Sequence, residues 1–201
     1  MVTLARRGHP VDERGDVARS RSDALVSAAR TGDQVAWRTL YGLHHRRLTV
    51  WLRSLPAGDA MDSPEDIAAE AWLLAAAKLG EFQGSDDDFA GWLFTLARNT
   101  AANSHRKSVR RRTEPTDVEA SAHEVWGLAP DDIARVDEQD STRELLSHLS
   151  AREAEVVACI DVVGLDVAST ARALGMKPTA VRVARHRALV RLRKILAERD
   201  L

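Results

Sequence analysis

Apolar residues recur at spacings of three and four along most of the chain, which is the period of an amphipathic helix. The first helical stretch begins near Ser22 and is interrupted at Gly32 and Asp33. A second helix should run to Leu55, because the proline and glycine that follow favour a stop. The composition also favours helix over sheet, since alanine, leucine, arginine and glutamate dominate and the chain has few glycines and prolines.

Start signals predict two more helices in the first half of the chain. Ser63 can cap a helix and Pro64 suits its first position, so a helix is expected from here to about Gly80. A polar loop, EFQGSDDD, follows at residues 81–88. The next helix is expected to begin at Phe89 and to continue into the strongly basic stretch SHRKSVRRR.

The last third of the chain has the pattern of a helix-turn-helix. Ser150 and Glu153 have the spacing of a capping box. After Gly164, the periodic stretch VASTARAL leads to Gly175, where a tight turn is expected, and to Pro178, which suits a helix start. A short helix, a turn with glycine and a second helix are together typical of this DNA-binding motif.

These patterns predict an all-α protein of two small helical domains joined by a flexible acidic linker. The first domain is expected at residues 22–112, and the helix-turn-helix domain at residues 142–201. Residues 1–21 are polar and have no periodicity, which is typical of a disordered leader. Residues 113–141 combine many acids with proline and glycine, and we expect them to form the linker.

Charge is distributed unevenly, although the formal net charge is only −1. Residues 98–112 carry six arginines and lysines without an acid, and residues 179–196 again carry six without an acid. Between them, residues 114–144 hold ten acids and two arginines. Because the distribution of charge matters more for polyanion binding than its sum, both basic segments are candidates for contact with nucleic acid.

A helical wheel divides the second basic segment into an apolar sector and an opposite sector without acids. A merely solvated helix usually mixes glutamate with lysine, so the acid-free sector favours a polyanion over plain solvent. Arg185 falls within the apolar sector, where it would either extend from the edge of the core or meet a partner. The apolar sector otherwise holds Val181, Ala184, Ala188, Leu189, Leu192, Ile195 and Leu196, and the acid-free sector holds Arg182, Val183, His186, Arg187, Val190, Arg193 and Lys194.

The first domain carries two charged faces. Asp66 and Glu70 are four residues apart and therefore share a helix face. No histidine or third acid joins them at ligand spacing, so an exposed or protein-docking face is favoured over metal or acid–base chemistry. In residues 98–112, Asn99 and Asn103 interleave with the cations, which favours phosphate and base contacts over simple compensation of the helix dipole.

Nothing in the sequence predicts an enzyme, a cofactor or a metal site. His44 and His45 are adjacent and point about 100° apart on a helix, so they do not converge on a metal. The acids at residues 86–88 lack calcium-loop spacing, and the common phosphate-binding and hydrolase motifs are absent.

Cys159 lies in the apolar run VVACI and is expected to be buried. With no secretion signal and no apolar run of spanning length, a cytoplasmic protein without membrane contact is expected.

Two segments together resemble the extracytoplasmic-function (group 4) subfamily of the sigma-70 family of bacterial RNA polymerase sigma factors. Residues 63–112 resemble region 2 and residues 149–196 resemble region 4, in the order that the family has. The first resemblance rests on Glu65, Asp66, Glu70, Trp72, Phe82, Gly84, Phe89, Trp92, Leu93, Leu96, Ala97, Arg98, Asn99 and Arg106, and the second on Leu149, Ser150, Arg152, Glu153, Val156, Gly164, Ala171, Leu174, Gly175, Val181, Arg182, His186, Arg187, Ala188, Leu192 and Arg193.

The resemblance implies a subunit that binds core RNA polymerase and directs promoter-specific initiation. Region 4 would place its recognition helix in the major groove of the −35 element, and region 2 would bind the −10 strand with a flipped-out base. Members of this group are often held by an anti-sigma factor, which is therefore a further expected partner. The implied contacts are Arg182, Val183, His186 and Arg187 for the −35 element, Phe82, Asn99, Asn103, Arg106 and Arg110 for the −10 strand, and Asp66 and Glu70 for the polymerase.

The chain departs from the family pattern at four positions. Ala69 replaces a glutamine, Asn103 an aspartate, Ala180 a common threonine and Arg185 an apolar residue. The alternative function is a LuxR-type helix-turn-helix regulator that works without core polymerase, but it leaves the acidic face and the first basic segment unexplained. A helical adaptor or anti-sigma partner is a third possibility, and it would not need acid-free faces.

Overall fold

The computed structural model describes most of both predicted domains. Every regular element in this part is a helix, which confirms the predicted all-α fold of two small domains. The predicted leader and nearly all of the predicted linker lie outside the described residues. These are 24–55, 62–113 and 140–199, with side chains omitted at 111–113 and 199.

The helices of the described part are numbered here in chain order. A 3₁₀ turn, Leu79–Glu81, follows the third, and a wide π turn, Ala158–Val162, follows the sixth. The helices are α1 (24–30), α2 (Gln34–Ser54), α3 (Pro64–Lys78), α4 (Asp86–Thr113), α5 (140–147), α6 (Ala151–Val157), α7 (Val167–Leu174) and α8 (Pro178–Arg199).

Side-chain caps fix several of the helix starts. Ser63 forms the predicted cap of α3, and its capping box is completed by Asp66, whose carboxylate accepts from the Ser63 amide. Helix α4 begins at Asp86 rather than at Phe89, because Asp88 accepts from the amide and the hydroxyl of Ser85 one turn earlier. The loop expected at residues 81–88 is therefore shorter than predicted.

An aromatic cluster forms the centre of the first domain. Trp51 packs against Phe94, with 5.1 Å between ring centroids, and Phe82 stacks on Trp92 at 4.6 Å. Phe82 is only 8% exposed, although the resemblance implies that it contacts the −10 strand at the protein surface. This expectation of a surface position needs correction, because the rings of Trp92 and Phe89 enclose the Phe82 side chain.

The helix-turn-helix forms as predicted between α7 and α8. Gly175 ends α7 with a φ of 61°, a left-handed conformation that glycine adopts without strain. The amide of Met176 then donates to the carbonyl of Ala171 at 2.8 Å, which closes the turn before Pro178. Helix α8 is anchored by Val181 and Ala188, both fully buried. We call this pair the ridge of α8.

The two domains pack directly against each other through α4 and α7. A Cβ atom at Gly91 would lie 2.8 Å from the carbonyl oxygen of Ser169, so the two helix backbones nearly touch. Arg47 of α2 donates to the carbonyls of Val163 and Gly164, each at 2.9 Å. Further links are ion pairs from Arg98 to Glu155 and from Arg172 to Asp88, and hydrogen bonds from Thr95 to Arg172 and from Arg143 to Arg53.

Candidate nucleic-acid and polymerase interfaces

The four candidate −35 residues share one exposed face of α8. This reading face lies opposite the ridge, because residues at intervals of 100° place it about 180° away. Val183 is 49% exposed there, which leaves its methyl groups available to a partner. The apolar sector is narrower than expected, since Leu196 is exposed at the far end of the helix. The reading face consists of Arg182, Val183, His186 and Arg187.

The candidate −10 residues on α4 are also exposed and lie along the basic end of that helix. Arg106 donates to the side-chain oxygen of Asn103 at 2.5 Å, which orients the amide. A groove of about 270 Å³ separates this end of α4 from the start of α3. Its lining consists of Asp62, Glu70, Thr100, Asn103, Ser104, Arg106, Lys107 and Arg110.

The hydroxyls of Thr100 and Ser104 line this groove without hydrogen-bond partners in the described part of the chain. Both side chains are 3% exposed, so their unpaired hydroxyls lie at the base of the groove. Such groups are costly to leave unpaired, and a ligand that reaches them would gain from bonding them. The hydroxyls were not recognised in the sequence, because only the packing of α3 on α4 buries them.

The two acids of α3 have different surroundings. The carboxylate of Asp66 completes the capping box of its own helix, a role that was not predicted from the sequence. Glu70 is exposed and makes no ion pair or hydrogen bond within the described residues. Leu73, nearly one turn later, is 72% exposed and shares this face. The acidic face is therefore partly apolar.

Two ion pairs join α8 to the elements before it, and neither was predicted. Arg185 pairs with Asp161 in the π turn, which accounts for an arginine in the apolar sector. Arg191 pairs with Glu153, the same carboxylate that completes the capping box with Ser150. The serine and arginine contacts hold the pKa of Glu153 below its ordinary value, against the opposing effect of burial.

Comparison with known proteins now decides the family. Residues 40–111 match the Sigma-70 region 2 family and residues 139–192 match the Sigma-70 region 4 family. The first match explains the half of the chain that a LuxR-type regulator leaves unexplained. The chain belongs to the extracytoplasmic-function sigma factors.

Relatives of this sigma factor align over nearly its full length. The ECF RNA polymerase sigma factor SigD of Mycobacterium tuberculosis is 31% identical over 186 residues, which cover 90% of this chain and 86% of SigD. BldN of Streptomyces coelicolor is 30% identical over 180 residues, which cover 89% of this chain and 67% of BldN.

Two solved structures have folds similar to that of this chain. RpoE of Bartonella quintana, solved with the anti-sigma factor NepR, is 25% identical with a TM-score of 0.60, covering 80% of this chain and 96% of RpoE. CnrH, solved with the cytosolic domain of CnrY, is 22% identical with a TM-score of 0.64, covering 88% of this chain and 97% of CnrH. The likeness to CnrH shows a shared fold.

The sigma factor family fixes the general function of the chain. The chain binds core RNA polymerase and directs promoter-specific transcription initiation through −10 and −35 elements. Sigma factors are regulatory DNA-binding proteins. Among the described helices, none has the length and apolar character needed to span a bilayer.

Proposed function

We propose that α8 reads the −35 element in the major groove through its reading face. The observation that carries this proposal is the position of that face directly opposite the buried ridge, since it leaves all four side chains free of the core. Arginine pairs well with the major-groove edge of guanine, and Val183 suits contact with a thymine methyl group. The neighbouring cations Arg193 and Lys194 add phosphate affinity that depends on salt.

The basic end of α4 binds the −10 strand. Asn99, Asn103, Arg106 and Arg110 supply amide and guanidinium donors along one exposed stretch. The groove beside them has unpaired hydroxyls at its base and cations at its rim, features that suit a polar nucleotide. Phe82 supports the turn before α4 from inside the aromatic cluster, because its ring is enclosed by Phe89 and Trp92.

Glu70 contacts core polymerase when the chain binds to it. Asp66 contributes to the same acidic face while it caps α3. The exposed side chain of Leu73 adds an apolar contact to this face.

An anti-sigma factor is a second protein partner, as in the complex of Bartonella RpoE with NepR. The chain has no catalytic chemistry of its own and works in the cytoplasm, where the polymerase performs RNA synthesis.

The proposed domains, residues 22–112 and 142–201, separate when both promoter elements are engaged. The −10 and −35 elements lie roughly 25 base pairs apart, or about 85 Å at 3.4 Å per base pair. We call the arrangement in which α4 and α7 are in contact the closed arrangement, and domains held together in this way do not reach two elements that far apart. The acidic linker at residues 113–141 then ties the two DNA readers together, which raises the effective concentration of each.

Run-off transcription with purified core polymerase tests this function. Promoter-specific transcripts should appear from genomic templates only when the chain is added. Reversing the charge of Glu70 should abolish them, while reversing that of the exposed Glu198 at the end of α8 should leave polymerase binding intact. DNA binding by the chain without any polymerase-dependent initiation would contradict the proposal and would favour the LuxR-type alternative.

A further inference from the structure

A bidentate ion pair joins the recognition helix to the π turn after α6. The Nε atom of Arg185 lies 3.0 Å from Oδ2 and 3.2 Å from Oδ1 of Asp161, and Nη2 also donates to Oδ1. The two side chains are 41% and 27% exposed, so both are partly shielded from water. A planar guanidinium that meets a carboxylate in this way fixes orientation as well as distance.

The π turn directs Asp161 toward α8. The amide of Val163 donates to the carbonyl of Ala158, five residues earlier, at 3.1 Å. Val163 and Leu165 remain in the core. The carboxylate of Asp161, which lies between these apolar residues and α6 in the chain, stays at the surface. Single π turns of this kind are frequent at functional sites. Here the turn lets the side chain of Asp161 face α8 while its neighbours Val163 and Leu165 face the core.

The ridge alone leaves the roll of α8 poorly fixed. Val181 and Ala188 lie about 20° apart around the helix, the partly buried Ala184 and Leu192 widen this apolar strip to about 80°, and contact between apolar side chains is not directional. Arg185 lies about 40° to one side of Val181, and Arg191 lies about 80° to the other side. The ion pairs of these two arginines therefore flank the ridge and oppose roll in both directions.

A small roll would be enough to spoil base reading. At about 6 Å from the helix axis, a roll of 20° moves a side-chain atom by about 2 Å. Hydrogen bonds to base edges tolerate only about 0.5 Å. We propose that Arg185 and Asp161 are positioning residues for −35 recognition, which hold the roll of α8 and do not themselves contact DNA. This inference rests on the proposed reading face.

The test measures −35 preference with holoenzyme assembled from the full chain and core polymerase. Promoters with the preferred −35 sequence, found by selection from a randomised library, are compared with single-base mismatches. Asp161→Ala and Arg185→Gln should each reduce discrimination about 3- to 10-fold. Arg193→Gln is the matched control, since it removes one exposed cation from α8 and should weaken all promoters equally without changing their order.

The aspartate variant separates positioning from charge. It removes an acid near the DNA, so a pure charge effect would tighten binding to every promoter and leave discrimination unchanged, and this result would overturn the inference. The exchanged pair, Asp161→Arg with Arg185→Asp, should recover part of the lost discrimination, and unchanged preference in both single variants would also refute a positioning role. If the wild-type holoenzyme shows no −35 preference, the proposed reading face is wrong and the inference fails with it.

Discussion

The close approach of α4 to α7 gives a sharp prediction for Gly91→Ala. The added Cβ would lie 2.8 Å from the carbonyl oxygen and 3.0 Å from the Cα atom of Ser169, whereas carbon atoms prefer about 3.5–4.0 Å. Either the α7 backbone moves by roughly 1 Å or the helices separate, and overpacking of this kind costs about 1–3 kcal/mol. Alanine in place of glycine inside a helix contributes about 1 kcal/mol in the opposite direction.

Gly42→Ala provides the matched control, because Gly42 lies inside α2 and a Cβ there meets nothing within 4 Å. This variant should stabilise the protein by about 1 kcal/mol, while Gly91→Ala should be neutral or destabilising by up to about 2 kcal/mol. Urea unfolding of the full chain, followed by circular dichroism, measures both. Equal stabilisation by the two substitutions would show that α7 does not lie against Gly91 and would refute the closed arrangement.

Three further predictions concern the reading face, the docking face and the core. Arg187→Ala should weaken discrimination at one −35 position by about 1–3 kcal/mol, measured by promoter competition, and an unchanged preference would rule out a base contact. Leu73→Ala should lower affinity for core polymerase without lowering thermal stability, since the side chain is 72% exposed, and unchanged affinity would exclude it from the docking face. Burial, with a smaller contribution from Arg47, lowers the pKa of His44 to about 4. The unfolded chain binds that proton below about pH 6.5 and the folded chain does not, so stability should fall by about 2 kcal/mol from pH 7 to pH 5. His44→Leu should remove this part of the pH dependence in urea titrations, and an unchanged slope would contradict the buried neutral state.

Local signals in the sequence predicted most of the helix starts and the acid-free sector of α8, although α4 begins three residues before the predicted Phe89. The cap at Ser63 and the capping box of Ser150 and Glu153 depend on residues close in sequence, so the sequence alone reveals them, whereas the part of Asp66 in the Ser63 box was not predicted. The acid-free sector of α8 follows from the 100° periodicity of one helix, and the resemblance to region 4 selects the four residues of the reading face within it. The structure places these four residues on the surface.

Features that depend on contacts distant in sequence were not predictable. Phe82 looked like a loop residue, but rings from α4 enclose it. The partner of Arg185 lies 24 residues earlier, and it reaches α8 only because a π turn interrupts the expected α-helical period. The contact between α4 and α7 depends on a glycine whose role appears only when the two backbones meet.

The single cysteine makes a direct test of the central claim possible. Burial raises the pKa of the Cys159 thiol to about 12, so the native protein should not react there with thiol reagents at neutral pH. A DNA-cleaving iron chelate can then be attached at one introduced site at a time. Val190→Cys is exposed beside the reading face, and Lys107→Cys is exposed beside the candidate −10 residues.

Cleavage of promoter DNA by each labelled holoenzyme would locate both helices on the promoter. We expect cuts centred on the −35 element from position 190 and on the −10 element from position 107. Cuts from both positions at the same element, or none near −35 from position 190, would contradict the assignment of α8 and α4 to separate promoter elements.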